Sequence, residues 1–253
     1  MITIVRNGAA TIERTIKSVL GQSYINIQYI VIDGGSTDGT VEIIKKYENK
    51  IDYWISEKDS GIYDGFNKGI EHANGKYICI LNADDYFSPN AIDRLVEEIP
   101  VEVLESSLPI IHANMILIMA SGQKINEFGH RKNAFEQRFS SMPVNHPATF
   151  VPATVYQHIG KFDANFRIAG DYDFILRALN NNIEFIHIDE TLVYMQIGGA
   201  SSLRNAYTLS RERFLARVRN GGGKLPASLR LFQDYLVFSL RKVKRLVVPS
   251  NYE

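Results

Sequence analysis

Ile27-Gln28-Tyr29-Ile30-Val31-Ile32-Asp33-Gly34-Gly35-Ser36-Thr37-Asp38-Gly39 decides the fold class. Its first six residues form a β-branched and aromatic run with little alternation, the pattern of a strand buried on both faces. Turn formers follow, and then Val41, Ile44 and Tyr47 recur at helical spacing. Upstream, Ile2 to Val5 reads as another short strand closed by Asn7-Gly8, and Ile12, Ile16, Val19 and Leu20 line one face of a helix. Downstream, Tyr53–Ile55 and Tyr77–Leu81 are strand candidates, with Ile62, Phe66 and Ile70 as a helical stripe between them. Strand and helix alternating in this way predict an α/β domain with a mainly parallel sheet and right-handed crossovers. After residue 100 the rhythm changes. Ile110–Met119 and Lys124–Phe128 flank Ser121-Gly122-Gln123 as a hairpin, and a helix at Tyr172–Leu179 precedes a strand at Glu184–Ile188.

Composition narrows the rest. A single cysteine, Cys79, rules out an internal disulfide, and its place in an apolar run makes it a small buried hydrophobe. No stretch approaches the roughly 18 uncharged apolar residues of a spanning helix. No secretory signal is read before the first strand, so a cytoplasmic location is expected. The formal net charge is zero, yet residues 203–253 carry eleven Lys/Arg against three Asp/Glu. A basic tail on an acidic body suggests two surfaces with different partners.

Ligands of open parallel sheets bind beyond the carboxyl ends of the strands. Asp33 stands at one such end, opening a Gly-rich turn into a helix whose N-terminus favours anions. The same residues are also ordinary turn and cap chemistry. No Gly-Lys-Ser/Thr follows, so this is not a phosphate-cradling lysine loop. Asn82-Ala83-Asp84-Asp85 ends another strand. Two adjacent carboxylates repel unless a cation or hydrogen-bond donors compensate, and a hard divalent ion shared with substrate phosphates would do so. The plainer reading makes Asp85 a turn cap before Ser88-Pro89. Asp171-Tyr172-Asp173 opens a helix, where one carboxylate can cap while the other meets a substrate.

In order, Ile2–Asn7, Ile32–Thr40, Asp59-Ser60-Gly61-Ile62-Tyr63-Asp64 with Asn67-Lys68-Gly69, Leu81–Asp85, and Gly170–Asp173 with Arg177 resemble the motifs of family 2 inverting glycosyltransferases. The resemblance covers roughly residues 1–200. It implies a GT-A, Rossmann-like fold: a mainly parallel mixed sheet flanked by helices, with residues 201–253 as a basic amphipathic helical extension. It implies transfer of a sugar from a nucleotide-sugar donor, a UDP-sugar by the family pattern, to a glycan or lipid-linked glycan acceptor in surface polysaccharide assembly. Asp85 and Asp84 match the motif that holds Mn²⁺ or Mg²⁺ on the diphosphate, and Asp171 matches the catalytic base. Thr3, Arg6, Asn7, Asp33, Asp64 and Asn82 match nucleotide-binding positions, His146 falls near the acceptor, and Asp173 resembles a structural position. No nucleic-acid partner is expected.

Three departures from the pattern stand out: Arg6 where many members have Tyr, Gly34 where many have a second Asp, and Gly170 where a Glu often precedes the base. Two rival readings remain, a sugar nucleotidyltransferase and a catalytically inactive nucleotide- or glycan-binding scaffold. Beyond the glycines 221–223, read as a hinge, Leu229, Phe232, Leu236, Leu240, Val243 and Val247 form one apolar helix face, with Arg241, Lys242, Lys244 and Arg245 near its end. Such a helix either docks on the catalytic domain or lies on an anionic membrane.

Overall fold

The computed structural model describes residues 1–99, 103, 108–129, 132–198 and 205–234. Its strands are β1 (Ile2–Val5), β2 (Ile30–Asp33), β3 (Tyr53–Ser56), β4 (Tyr77–Asn82), β5 (Tyr86–Phe87), β6 (Ile110–Ile118), β7 (Lys124–Phe128), β8 (Thr149–Pro152) and β9 (Phe185–Gln196). The helices are α1 (Ile12–Leu20), α2 (Thr40–Lys45), α3 (Ile62–Glu71), α4 (Ala91–Glu98), α5 (Ala153–Ile159), α6 (Gly170–Asn180) and α7 (Ala206–Arg219), and residues 224–234 are helical as well.

One nine-stranded sheet runs β3-β2-β1-β4-β8-β6-β9-β5, with β7 paired to β6. The first four strands pair in parallel, as the alternating pattern predicts, whereas β8 is antiparallel to both β4 and β6. Register brings the chemistry to one edge: Val5 lies opposite Asp33, Asp33 opposite Ser56, and Ile4 opposite Asn82. The strand-end residues therefore share the carboxyl border of the parallel half.

Apolar side chains alternate between the two faces of these strands. Ile30, Ile32, Ile78 and Ile80 join the core beneath α3 and α6, while Val31, Cys79 and Leu81 join the core beneath α1 and α4. The α1 stripe is as expected, with Ile12, Ile16 and Val19 buried. Cys79 is sealed in the second core, where burial pushes its thiol up to about 12.

The sequence reading stops β9 at Ile188, but the strand runs on to Gln196. Its ladder to β6 pairs Ala113 with Ile188 and then Asn114 with Thr191, so Asp189 and Glu190 fall in a bulge. Both acids have partners: Asn114 Nδ2 donates to Asp189 at 2.9 Å, and Arg94 pairs with Glu190 at 2.6 Å. Two adjacent charges thus interrupt the pattern without ending the strand.

The extension is partly described. Helix α7 packs on α6, and residues 224–234 turn Ala227 inward while Asp234 pairs with the buried Arg217 at 3.5 Å. Leu225, Leu229 and Phe232, three of the apolar positions on that segment, are 73%, 59% and 67% exposed. A docked helix would have buried Leu229 and Phe232, whereas the contact uses the opposite, smaller face. Leu236, Leu240, Val243, Val247 and the basic cluster Arg241, Lys242, Lys244 and Arg245 lie outside the described residues. Among the described residues, no helix is long and apolar enough to cross a membrane.

Candidate active site

The carboxyl border of the sheet opens into a cleft of about 740 Å³. Arg6, Asn7, Asn82, Asp84, Asp85, His146 and Asp171 all line it. Residues taken from four separate stretches of sequence therefore meet in one place.

Two loops form the first wall. Asn7 adopts φ 52°, its N–H donates to Ser36 Oγ at 2.7 Å, and its Oδ1 accepts the Thr37 N–H at 2.9 Å. Asp38 accepts the Ala9 and Thr40 N–H groups at 3.0 and 3.1 Å. The loop after β1 is thereby tied to the loop after β2. Asp33 is fully buried and organises that second loop: its carboxylate accepts the Gly35 and Ser36 N–H groups at 3.2 and 3.0 Å, the Ser56 hydroxyl at 2.6 Å and the Ser36 hydroxyl. Its oxygens are spent within the protein, and it does not line the cleft. Thr3 is also interior, taking a hydrogen bond from Tyr29 Oη at 3.1 Å. Asp64 accepts the Ser60 N–H at 3.0 Å and faces Lys68 at 3.5 Å on the outside of α3, which holds its carboxyl below the usual range. The geometry turns Thr3, Asp33 and Asp64 away from the ligand space.

Asp59, in the same motif as Asp64, takes the position they leave. It lines the cleft, stands 4.0 Å from Arg6, and is raised by burial against the opposing pull of Arg6. Its carboxylate also explains Gly34. A Cβ there would sit 2.1 Å from Asp59 Oδ2, so the chain keeps glycine where many relatives of the motif carry a second acid.

Asp85 and Asp84 follow β4. The Thr15 hydroxyl lies between the Ala83 and Asp85 carbonyl oxygens at 2.9 and 2.6 Å, and Arg14 donates to the Asp84 carbonyl at 2.9 Å, so α1 fixes this turn. Asp85 is 1% exposed. It accepts the Gln196 N–H at 3.0 Å and a longer bond from Asn82 Nδ2 at 3.3 Å. Burial, and then Asp84, push its carboxyl well above the usual range; burial raises Asp84 too. Asn82 Oδ1 is buried with no partner among the described residues. An under-compensated buried carboxylate, a second acid and an orphaned amide oxygen are hard oxygen donors suited to a divalent cation. Among the described residues no set of three or more His, Cys, Asp or Glu converges.

Asp171 sits in the first turn of α6. Its Oδ1 accepts the Tyr172 N–H at 2.8 Å and stands 3.2 Å from Tyr63 Oη, while Oδ2 has no partner among the described residues. Tyr63 also bonds the Ile168 carbonyl at 2.7 Å, and a Cβ on Gly170 would meet its ring at 2.8 to 2.9 Å. The aromatic ring thus fills the space of the missing Glu. Asp173 is structural: Arg177 Nε and Asn220 Nδ2 saturate it at 2.9 and 3.0 Å. His146 stacks on Phe66 at 5.5 Å and 4°, and burial lowers its pKa while Asp171 opposes that shift.

Glu212 was not foreseen either. On α7 and 8% exposed, it accepts the N–H groups of Arg167, Ile168 and Ala169 at 2.9, 2.8 and 3.0 Å. It clamps the loop that delivers Asp171. Leu209 and Arg213 of the same helix reach the cleft, so the wall continues past the boundary expected at residue 200. No motif or clear apolar period marks this stretch in the sequence, so nothing there shows which loop the helix meets.

Comparison with known proteins agrees with this geometry. An uncharacterized glycosyltransferase of Mycobacterium tuberculosis is 36% identical over 180 residues, covering 70% of this chain and 67% of its own. A PGL/p-HBAD biosynthesis glycosyltransferase of Mycobacterium bovis is 23% identical over 247 residues, 95% of this chain and 89% of its own. Among solved structures, Staphylococcus aureus TarS 1–349 in complex with UDP superposes with a TM-score of 0.62 at 16% identity, over 92% of this chain and 69% of that one. The mannosyltransferase PcManGT from Pyrobaculum calidifontis, in complex with GDP-Man and Mn²⁺, gives 0.65 at 16% identity, over 93% and 68%. These likenesses establish a GT-A-type α/β fold. The sequence profile of Glycosyl transferase family 2 matches residues 1–150, and the chain belongs to that family.

Proposed function

We propose that this glycosyltransferase moves a sugar from a nucleoside-diphosphate donor to an acceptor hydroxyl in one inverting displacement, with a divalent ion on the diphosphate. The observation that carries the reading is the convergence, in one cleft, of the under-compensated Asp85 with Asp84 and of Asp171 with an unpartnered oxygen. TarS bound to UDP-GlcNAc and PcManGT bound to GDP-Man and Mn²⁺ share the fold and support a nucleotide-sugar donor.

Asp171 takes the proton of the attacking hydroxyl, held in place by Tyr63 and the Tyr172 N–H. General-base help of this kind contributes about 10²–10⁴-fold. Asp85, Asp84 and Asn82 would hold Mn²⁺ or Mg²⁺, which when bound neutralises charge developing on the leaving diphosphate. Arg6 and Asp59 offer a donor and an acceptor to the base edge, the part first given to Asp33; the donor proposed is a UDP-sugar. Neutral His146 is an uncharged hydrogen-bond partner for the acceptor, a glycan or lipid-linked glycan of surface polysaccharide assembly. A peripheral position at the cytoplasmic membrane face is favoured by the exposed Leu225, Leu229 and Phe232 followed by the basic cluster. Salt-sensitive co-sedimentation with anionic vesicles, lost on ending the chain before Gly221, tests it.

Calorimetry of UDP and GDP with and without Mn²⁺, together with slow donor hydrolysis, tests the main reading. Asp85→Ala abolishes the metal-dependent part of binding, with a smaller effect of Asp84→Ala. Asp171→Asn keeps donor affinity and lowers hydrolysis at least about 10²-fold. Pyrophosphate formation would point to a nucleotidyltransferase, and no turnover with any donor to a binding scaffold.

A further inference from the structure

Arg213, on α7, lines the same cleft as Asp171. Its charge also acts on the hydroxyl of Tyr172, the residue after Asp171. Of the two guanidinium groups lining the cleft, Arg6 faces Asp59, while Arg213 has no partner among the described residues. It is half-buried and sits one helical turn after Leu209 on the same face of α7. An unpaired, partly desolvated guanidinium in a cleft is a fork for an oxyanion.

Apolar side chains share the lining with the polar ones. Met115, Met142, Met195, Phe128 and Leu209 contribute to the cleft, and methionines adapt to ligands of irregular shape. This combination suits a molecule with an apolar part and one anionic group.

We infer that Arg213 is the anion-binding element of an acceptor subsite, and that the acceptor class is an oxyanion, phosphate or carboxylate, carried on an apolar group. This rests on the glycosyltransferase reading above and adds the acceptor's chemistry to it. Arg213 binds the oxyanion, the methionine-rich wall holds the apolar part, and Asp171 meets a hydroxyl of the same molecule.

The test uses the whole chain saturated with UDP and Mn²⁺, titrated calorimetrically with octyl phosphate, octanoate, neutral octyl glucoside and inorganic phosphate below any micelle threshold. Octyl phosphate or octanoate is expected to bind at least about tenfold more tightly than octyl glucoside and than inorganic phosphate, the size of one charge-assisted contact. Which of the two anions binds more tightly identifies the oxyanion. Arg213→Ala erases the advantage and Arg213→Lys retains part of it, while UDP affinity is unchanged in both, which also shows that the variants are folded. Equal octyl-anion binding by wild type and Arg213→Ala overturns the inference, as does octyl glucoside or inorganic phosphate binding as tightly as the octyl anions. Loss of UDP binding by the wild type would instead defeat the donor reading.

Discussion

Replacing Glu212 with Gln tests whether α7 is part of the catalytic apparatus. The carboxylate receives three backbone N–H groups, two on Oε2 and one on Oε1, all at 2.8 to 3.0 Å and buried. Gln keeps the shape but loses the charge, and its amide nitrogen must face at least one N–H donor. A hydrogen bond to a charged group contributes about 1.5–3 kcal/mol, and a buried donor left unpaired costs about 1–3 kcal/mol. Relaxation of the loop recovers part of the loss, so about 2–4 kcal/mol is expected, roughly 5–15 °C in Tm for a chain of this size. The catalytic effect is separable. Ala169 is two residues before Asp171, and an ångström of misplacement can cost about 10²-fold. Donor hydrolysis, measured well below both melting temperatures, should fall at least about tenfold with UDP affinity unchanged. A Glu212→Gln protein that melts and turns over like wild type would falsify the clamp. A fall in UDP affinity equal to the fall in rate would mean general loosening instead.

Gly170→Ala places a methyl against the ring of the buried Tyr63, whose hydroxyl is anchored to the Ile168 carbonyl. Overpacking of about 1–3 kcal/mol should outweigh the helix-propensity gain of at most about 1 kcal/mol. Chemical denaturation of Gly170→Ala alone and in a Tyr63→Leu background checks this; an identical cost in both backgrounds would mean that the ring is not the obstacle. His146 is held neutral by burial, so the fold binds fewer protons than the unfolded chain below about pH 6.5. Stability is therefore lost as pH falls through that value toward the lower folded pKa. Tm measured from pH 8 to 5 should decline less steeply in His146→Gln, and parallel curves would refute the assignment. Cys79, fully buried and raised to about 12, should resist iodoacetamide at pH 8 until the protein is denatured; rapid labelling of the native chain would contradict that burial.

The parallel half of the fold was legible because its strands are buried on both faces and its helices carry clean stripes. The bulged end of β9 was not, since Asp189 finds its partner on β6 and Glu190 on α4. At the site, Asp85 was read from a motif at a parallel strand's carboxyl end and Asp171 from a helix start, and the structure brings both to one cleft. Choosing among the other carboxylates was beyond the sequence. Asp33 and Asp64 are carboxyl residues like Asp59, but local N–H and hydroxyl groups consume the first, and the outside of α3 holds the second. Thr3 lies one step along a strand from cleft-lining residues, and in a strand one step is the opposite face. Glu212 needed the fold itself, because it acts on a loop more than forty residues earlier in the chain.

A chain leaves the ribosome N-terminus first, and its units fold as they emerge. The sheet half made by β1 to β4, with the loops that follow β1 and β2 and the turn after β4, comes entirely from the first 85 residues and can form early. The loop before Asp171 must wait for Glu212, made more than forty residues later. The nascent chain therefore completes the side proposed to hold a donor well before the loop carrying the proposed base, Asp171, is clamped by α7.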